Sequence, residues 1–195
     1  MFMRLLLLSL LVLFLHSDKV NANPKCIRLK TMIKQASHEI LGSDYPFWYN
    51  IGLVETETNC QWKISLDGNG SIGYGQITKK AWHKVLYPLF PDYDKPSLQH
   101  FYALSYILKT GMKKACKLWQ VYAWYNGGAW VYKECKGSCD YEACKKNCRR
   151  GNVCVRFDGK CLQYRSACDI NYQYPVKVYH NGLKYKEGKD GIEYW

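Results

Sequence analysis

Apolar positions recur at helical spacing through most of the first 130 residues. In CIRLKTMIKQASHEILG, apolar residues fall at Ile27, Met32, Ile33, Ala36, Ile40 and Leu41 and Gly42 follows as a natural stop, which predicts a helix. A second helix is expected after Pro46, through FWYNIGLVETE. The stretch Asn59–Gly75 is rich in Gly, Asn, Ser and Asp and reads as a loop. Thr78 is placed to cap a short helix, TKKAWHKVLY, that ends before Pro88. Ser97 opens SLQHFYALSYILKTGMKKACKLWQVYAWYN, expected as one long helix broken near Gly111 or as two. Strand-like alternation is scarce before residue 150. The tail, NYQYPVKVYHNGLKYKEGKDGIEYW, sets an HNG turn between Tyr-, Val- and Lys-rich stretches and predicts a terminal hairpin. The fold class expected is mainly α.

The apolar run Leu5–Leu15 belongs to a different pattern. It follows a basic start, MFMR, and precedes the small-residue signal Val20-Asn21-Ala22, so residues 1–22 read as a secretory signal peptide. The run is short for a membrane span, which needs about 20 residues; an uncleaved anchor is the alternative. Cys26 is four residues past Ala22, so no lipid-attachment cysteine follows the cleavage point directly. The expected mature protein starts at Asn23 and is periplasmic or secreted.

Ten cysteines follow the leader, at 26, 60, 116, 135, 139, 144, 148, 154, 161 and 168. An even number in an exported chain implies disulfides, although their connectivity is not readable. Zinc held by the Cys135–Cys148 run is the alternative, but zinc sites favour tighter, two-residue hooks. Composition changes near residue 131. Four segments result: the leader, a helical domain over 23–130, a Cys-rich insertion over 131–168 and a C-terminal segment, 169–195, completing the domain. The formal charge is +12, and loss of Arg4, Asp18 and Lys19 with the leader lowers it to +11. Such a balance favours anionic partners, and export makes cell-envelope polymers more plausible than nucleic acid.

Few side chains offer catalytic chemistry. No GxSxG elbow or phosphate loop occurs, and His38, His83, His100 and His180 lack metal-motif spacing and read as surface or packing residues. Cys60 and His100 form a conceivable thiol-protease pair, which a full disulfide complement would exclude. Carboxylates remain, chiefly Glu55 and Glu57 in GLVETETNC (52–60). A Glu near a helix C-terminus, with apolar residues a turn behind it, is pushed by burial and by the helix dipole to keep its proton. A protonated carboxyl can serve as general acid toward a departing sugar oxygen; a solvated acidic helix end is the bland alternative.

GLVETETNC is followed by GSIGYGQIT (70–78) and AWYNGG (123–128). In that order the three patterns resemble the catalytic domain of soluble lytic transglycosylases, the goose-type-lysozyme-like enzymes that cleave peptidoglycan. The resemblance covers about residues 27–130, with a last piece in YQYPVKV (172–178); the Cys-rich segment departs from the simplest family pattern. It implies a lysozyme-like fold with Glu57 as the catalytic residue and Glu55 as second candidate. Glu57 is nearer the expected helix end, stands 19 residues before Gln76 and has Cys60 three residues on. Asn59, four after Glu55, argues the other way. Gly73, Tyr74, Gln76, Tyr125, Asn126 and Tyr174 are the implied substrate-binding residues. Gly73 and Gly75 would let backbone approach a glycan, Tyr125 would orient the catalytic carboxyl, and Gly127 and Gly128 would leave room for a pyranose ring.

The implied chemistry uses one carboxyl group and no metal or organic cofactor. Glu57 would protonate the oxygen between N-acetylmuramic acid and N-acetylglucosamine, then accept the proton of the muramoyl 6-hydroxyl. The product is a 1,6-anhydromuramoyl end. Asp67 as a second carboxylate would instead make a hydrolytic muramidase. Two alternatives lie outside enzymes: a non-catalytic glycan-binding module, or a cationic protein acting on membranes or nucleic acid. The expected partner is the peptidoglycan glycan strand, with anionic envelope polymers as a further binder, and no obligate protein partner.

Overall fold

Helix α1 (Pro24–Leu41) begins where the Asn23 side chain accepts from the Lys25 amide with Pro24 at the first helical position, and it ends at Gly42. The computed structural model describes residues 21–65 and 70–187. The leader expected over residues 1–22 therefore lies almost wholly outside the described residues. The elements that follow are α2 (Trp48–Thr58), β1 (Ser71–Ile72), β2 (Ile77–Thr78), α3 (Lys79–Leu86), α4 (Leu98–Met112), α5 (Leu118–Gly127), α6 (Trp130–Cys135), α7 (Tyr141–Asn147), β3 (Asn152–Asp158), β4 (Lys160–Ser166) and α8 (Ala167–Leu183). The protein is mainly helical, and no helix among the described residues is long and apolar enough to cross a membrane.

Most of the expected helices form within a few residues of their expected bounds. The long apolar stretch after Ser97 divides into α4 and α5, with the break at residues 113–117. Ser97 and Thr78 precede their helices but neither side chain caps it; the Ser97 hydroxyl donates to the Asp92 carbonyl instead. The Gly-rich loop contains a two-residue antiparallel pairing, Ser71 with Thr78 and Ile72 with Ile77.

The expected terminal hairpin is overturned. Residues 167–183 form α8, and the HNG sequence lies inside it. Its buried residues Asn171, Tyr174, Pro175, Val178 and Gly182 fall three, four or seven apart, a helical stripe. The alternation of Tyr, Val and Lys along the tail masked that spacing. Residues 188–195, the rest of the expected hairpin, lie outside the described residues.

One core joins α1, α2, α4, α5 and α8 through residues such as Ile33, Leu53, Phe101, Leu108 and Tyr122. Two glycines let α2 and α8 touch. A Cβ on Gly52 would lie 2.1 Å from the Val178 carbonyl oxygen, and one on Gly182 would lie 2.6 Å from the Trp48 carbonyl oxygen. A second, smaller core lies beneath the insertion: Trp119 of α5 and Tyr172 of α8 pack with Val131, Cys135, Cys144 and Cys148. There Glu134 pairs with Arg150 and accepts from the Tyr172 hydroxyl.

All ten cysteines are paired, as Cys26–Cys60, Cys116–Cys139, Cys135–Cys144, Cys148–Cys168 and Cys154–Cys161. Neither a zinc thiolate cluster nor a Cys60 nucleophile is left. The first bridge fastens the start of α1 to the residue pair beyond α2. By chain entropy, closing its 34-residue separation stabilises the fold by about 4 kcal/mol.

Candidate functional site

Helix α2 ends because Asn59 and Cys60 both adopt positive φ, with the Asn59 amide donating to the carbonyls of Glu55 and Val54. Glu57 is therefore in the last turn, next to the terminal residue Thr58. Two residues apart on a helix, Glu55 and Glu57 point to different surroundings. Glu55 accepts from Lys184 Nζ and from the Tyr185 hydroxyl, each at 2.8 Å, in a largely closed site where its side chain is 10% exposed. Glu57 makes no ion pair among the described residues. Its Oε1 accepts from the Tyr174 hydroxyl at 2.5 Å, and Oε2 has no hydrogen-bond partner among the described residues.

This difference separates their chemistry. Burial pushes the Glu57 carboxyl up from the ordinary carboxylate range to about 7, against the smaller, opposing effect of the Tyr174 hydrogen bond. Glu57 can thus hold a transferable proton near neutral pH. Glu55 pairs with Lys184, a contact that ties α2 to the residues after α8.

The Gly-rich loop is bound to the same helix end. The Thr58 hydroxyl donates to the Tyr74 carbonyl at 2.9 Å. Beneath the loop sits His100, fully buried, its Nδ1 against the Tyr93 carbonyl and its Nε2 accepting from the Gly75 amide. Burial drives this imidazole down to about 4, so it is neutral. A Cβ on Gly73 (φ +82°) would lie 2.2 Å from His100 Cε1, and one on Gly75 would meet Leu104 at 2.9 Å. These glycines are demanded by the protein beneath the loop, a reason for them that is independent of any glycan.

Other sequence-based assignments change as well. Tyr125 donates to the Gly75 carbonyl at 2.5 Å and not to Glu57; the orienting hydroxyl is Tyr174, expected only as a substrate-binding residue. Tyr125 is nonetheless close enough that, after burial, the Glu57 charge helps raise its phenol well above the usual range. A Cβ on Gly127 would collide with the Asn171 side chain at 2.1 Å, so that glycine makes room for Asn171 and not for a sugar. Asn126 donates to Asn171 Oδ1, joining α5 to α8. Tyr74 stacks on Phe101 at 5.4 Å and meets Trp62 edge-on. Gln76, at positive φ, directs its amide nitrogen to the Gly73 carbonyl, which leaves its Oε1 for other contacts. Asp67 lies outside the described residues.

Beside this arrangement opens a cleft of about 390 Å³, whose lining includes Gln76, Thr78, Trp82, Trp124, Tyr125 and Gly128. Trp82 and Trp124 meet edge to face at 6.2 Å. Their flat faces suit stacking on a sugar ring. Sequence reasoning missed both tryptophans. A cue was present in WHKVL, where Trp82 belongs to a short helix with few apolar partners of its own. Tyr125 lines this cleft and lies within reach of the Glu57 charge.

No protein-family model, curated protein or solved structure matches the chain.

Proposed function

We propose that the protein cleaves the β-1,4 bond between N-acetylmuramic acid and N-acetylglucosamine in peptidoglycan as a lytic transglycosylase. The observation that carries this reading is Glu57: one carboxyl group, raised to about 7 by burial and held by Tyr174 with no ion pair among the described residues, its charge reaching Tyr125, which lines the neighbouring aromatic cleft. As the acid, Glu57 protonates the bridging oxygen. The resulting carboxylate then accepts the proton of the 6-hydroxyl, whose oxygen closes on C1. Tyr174 fixes the carboxyl rotamer, and its hydrogen bond stabilises the anion between the two transfers. The lysozyme-like fold, export and wall-degrading role belong to the same proposal, which the ordered motifs around Glu57, Gln76 and Tyr125 support.

The test is a mass spectrum of the soluble products released from purified peptidoglycan, with Glu57→Gln and Glu55→Gln run alongside. Muropeptides one water lighter than reducing-end products, absent with Glu57→Gln and retained with Glu55→Gln, are expected. Reducing-end products would establish a hydrolase. Retained binding with no soluble products would establish a glycan-binding module.

A further inference from the structure

The β3–β4 hairpin presents an exposed surface whose residues do not line the cleft. Its strands pair from Asn152–Ser166 out to Asp158–Lys160. The described side chains of β3 are exposed throughout, and in β4 only Cys161 and Ser166 are half-buried. Both faces are thus open, whereas an ordinary two-stranded hairpin needs a covering layer to persist. Covalent bonds replace that layer: Cys154–Cys161 crosses the strands, and Cys148–Cys168 with the Ala167–Gly151 hydrogen bond closes the base.

The exposed residues have a definite chemistry. Val153, Val155, Leu162 and Tyr164 are 44%, 42%, 46% and 64% exposed. Arg156, Lys160 and Arg165 alternate with them, and Arg149 stands at the base. Asp158 is the only acidic residue of the two strands. Among the described residues, the ion pair near this segment is Arg150 with Glu134, inside the smaller core. Cations interleaved with apolar side chains match an interface that is anionic at its surface and apolar just below it. A globular partner would present one shaped face, but this hairpin exposes apolar groups from both strands.

We propose that the Cys154–Cys161 hairpin docks the protein onto anionic lipid bilayers, with Val153, Val155, Leu162 and Tyr164 entering the headgroup boundary and Arg156, Lys160 and Arg165 meeting lipid phosphates. Docking of this kind would hold the molecule at a membrane surface through residues that do not line the cleft. The proposal does not depend on the reading of Glu57.

The test is co-sedimentation of the exported, oxidised protein with phosphatidylglycerol–phosphatidylcholine vesicles and with pure phosphatidylcholine vesicles. Two variants are compared: Val153→Thr/Val155→Thr/Leu162→Thr/Tyr164→Thr, which keeps strand propensity, and Arg156→Gln/Lys160→Gln/Arg165→Gln. Retention of all five disulfides is checked by mass under non-reducing conditions. The expected result is binding to the anionic vesicles alone, weakened at least ten-fold in the apolar variant and about five-fold per cation removed in the charge variant. Unchanged binding by the apolar variant, with loss only in the charge variant, would overturn the bilayer proposal in favour of a general polyanion site. Absence of binding to anionic vesicles at low salt would overturn it outright. Glu57→Gln is expected to bind as the unaltered protein does, whatever its effect on peptidoglycan.

Discussion

Glu55 and Glu57 show how much one turn of helix can separate two identical side chains. Glu55 accepts from Lys184 and Tyr185, while Glu57 accepts, among the described residues, from the Tyr174 hydroxyl. The Tyr174 hydrogen bond lowers the Glu57 carboxyl against the larger upward effect of burial. Tyr174→Phe removes the lowering influence, so Glu57 should ionise about one pH unit higher. For an acid catalyst, the limb where peptidoglycan cleavage falls with rising pH then moves from about 7 toward 8 while the rate at its plateau drops. A pH–rate profile with an unmoved limb would remove Tyr174 from contact with the acid. In the sequence, position relative to the helix end ranked Glu57 ahead of Glu55. The decisive partners stand 117 to 130 residues away; of these only Tyr174 was marked, through the resemblance of YQYPVKV, and Lys184 and Tyr185 carried no local sign of facing this turn.

At the level of elements, the site depends on how closely α2 and α8 approach. Gly52 and Gly182 bring the two backbones together, and Tyr174 reaches Glu57 from the same pair of helices. Gly52→Ala would place a methyl group 2.1 Å from the Val178 carbonyl oxygen, a backbone atom that cannot rotate away. The helices must separate, and the substitution should cost about 3 kcal/mol or more in urea unfolding. The separation should also weaken the Tyr174–Glu57 bond, so residual activity should show the same alkaline shift as Tyr174→Phe. Normal stability in Gly52→Ala would mean the helices do not meet at this glycine. Among the helices up to α5, α2, α4 and α5 were legible as long apolar runs following Pro46 and Ser97, and α3 by the Thr78 and Pro88 that bound it. Helix α8 was not, because Pro175 and the HNG sequence both signal a break locally, and its packing against α2 overrides them. The loop was legible as a loop, but the reason for its glycines was not. Their need comes from His100 and Leu104, contributed by α4, which no spacing within GSIGYGQIT reveals.

Across the whole molecule, two buried titrating groups set opposing dependences of stability on pH. Glu57 is raised from 4.5 to about 7 by burial, so between those values the folded protein keeps a proton that the unfolded chain releases. Its contribution is fully present below pH 4.5 and is lost as pH rises to about 7. His100 is lowered from 6.5 to about 4, so between those values the unfolded chain binds a proton that the folded protein refuses. Its contribution is present above pH 6.5 and is lost as pH falls toward 4. Each amounts to about 1.4 kcal/mol per pH unit, with opposite signs. From pH 4.5 to 6.5 the two nearly cancel, and these groups leave the unaltered protein with a flat profile there. Glu57→Gln removes the falling contribution alone. Its stability should therefore rise by about 3 kcal/mol across that window, and above pH 7 it should exceed the unaltered protein by a similar amount. Urea unfolding of both proteins between pH 4.5 and 8, with all disulfides intact, measures the difference directly. Parallel profiles would mean that Glu57 is an ordinary solvated carboxylate, which would also remove the proton that the proposed chemistry requires. A more stable protein on losing Glu57 is the expected signature of a group held against its own solvation, and that cost makes sense at a position where the proton is used.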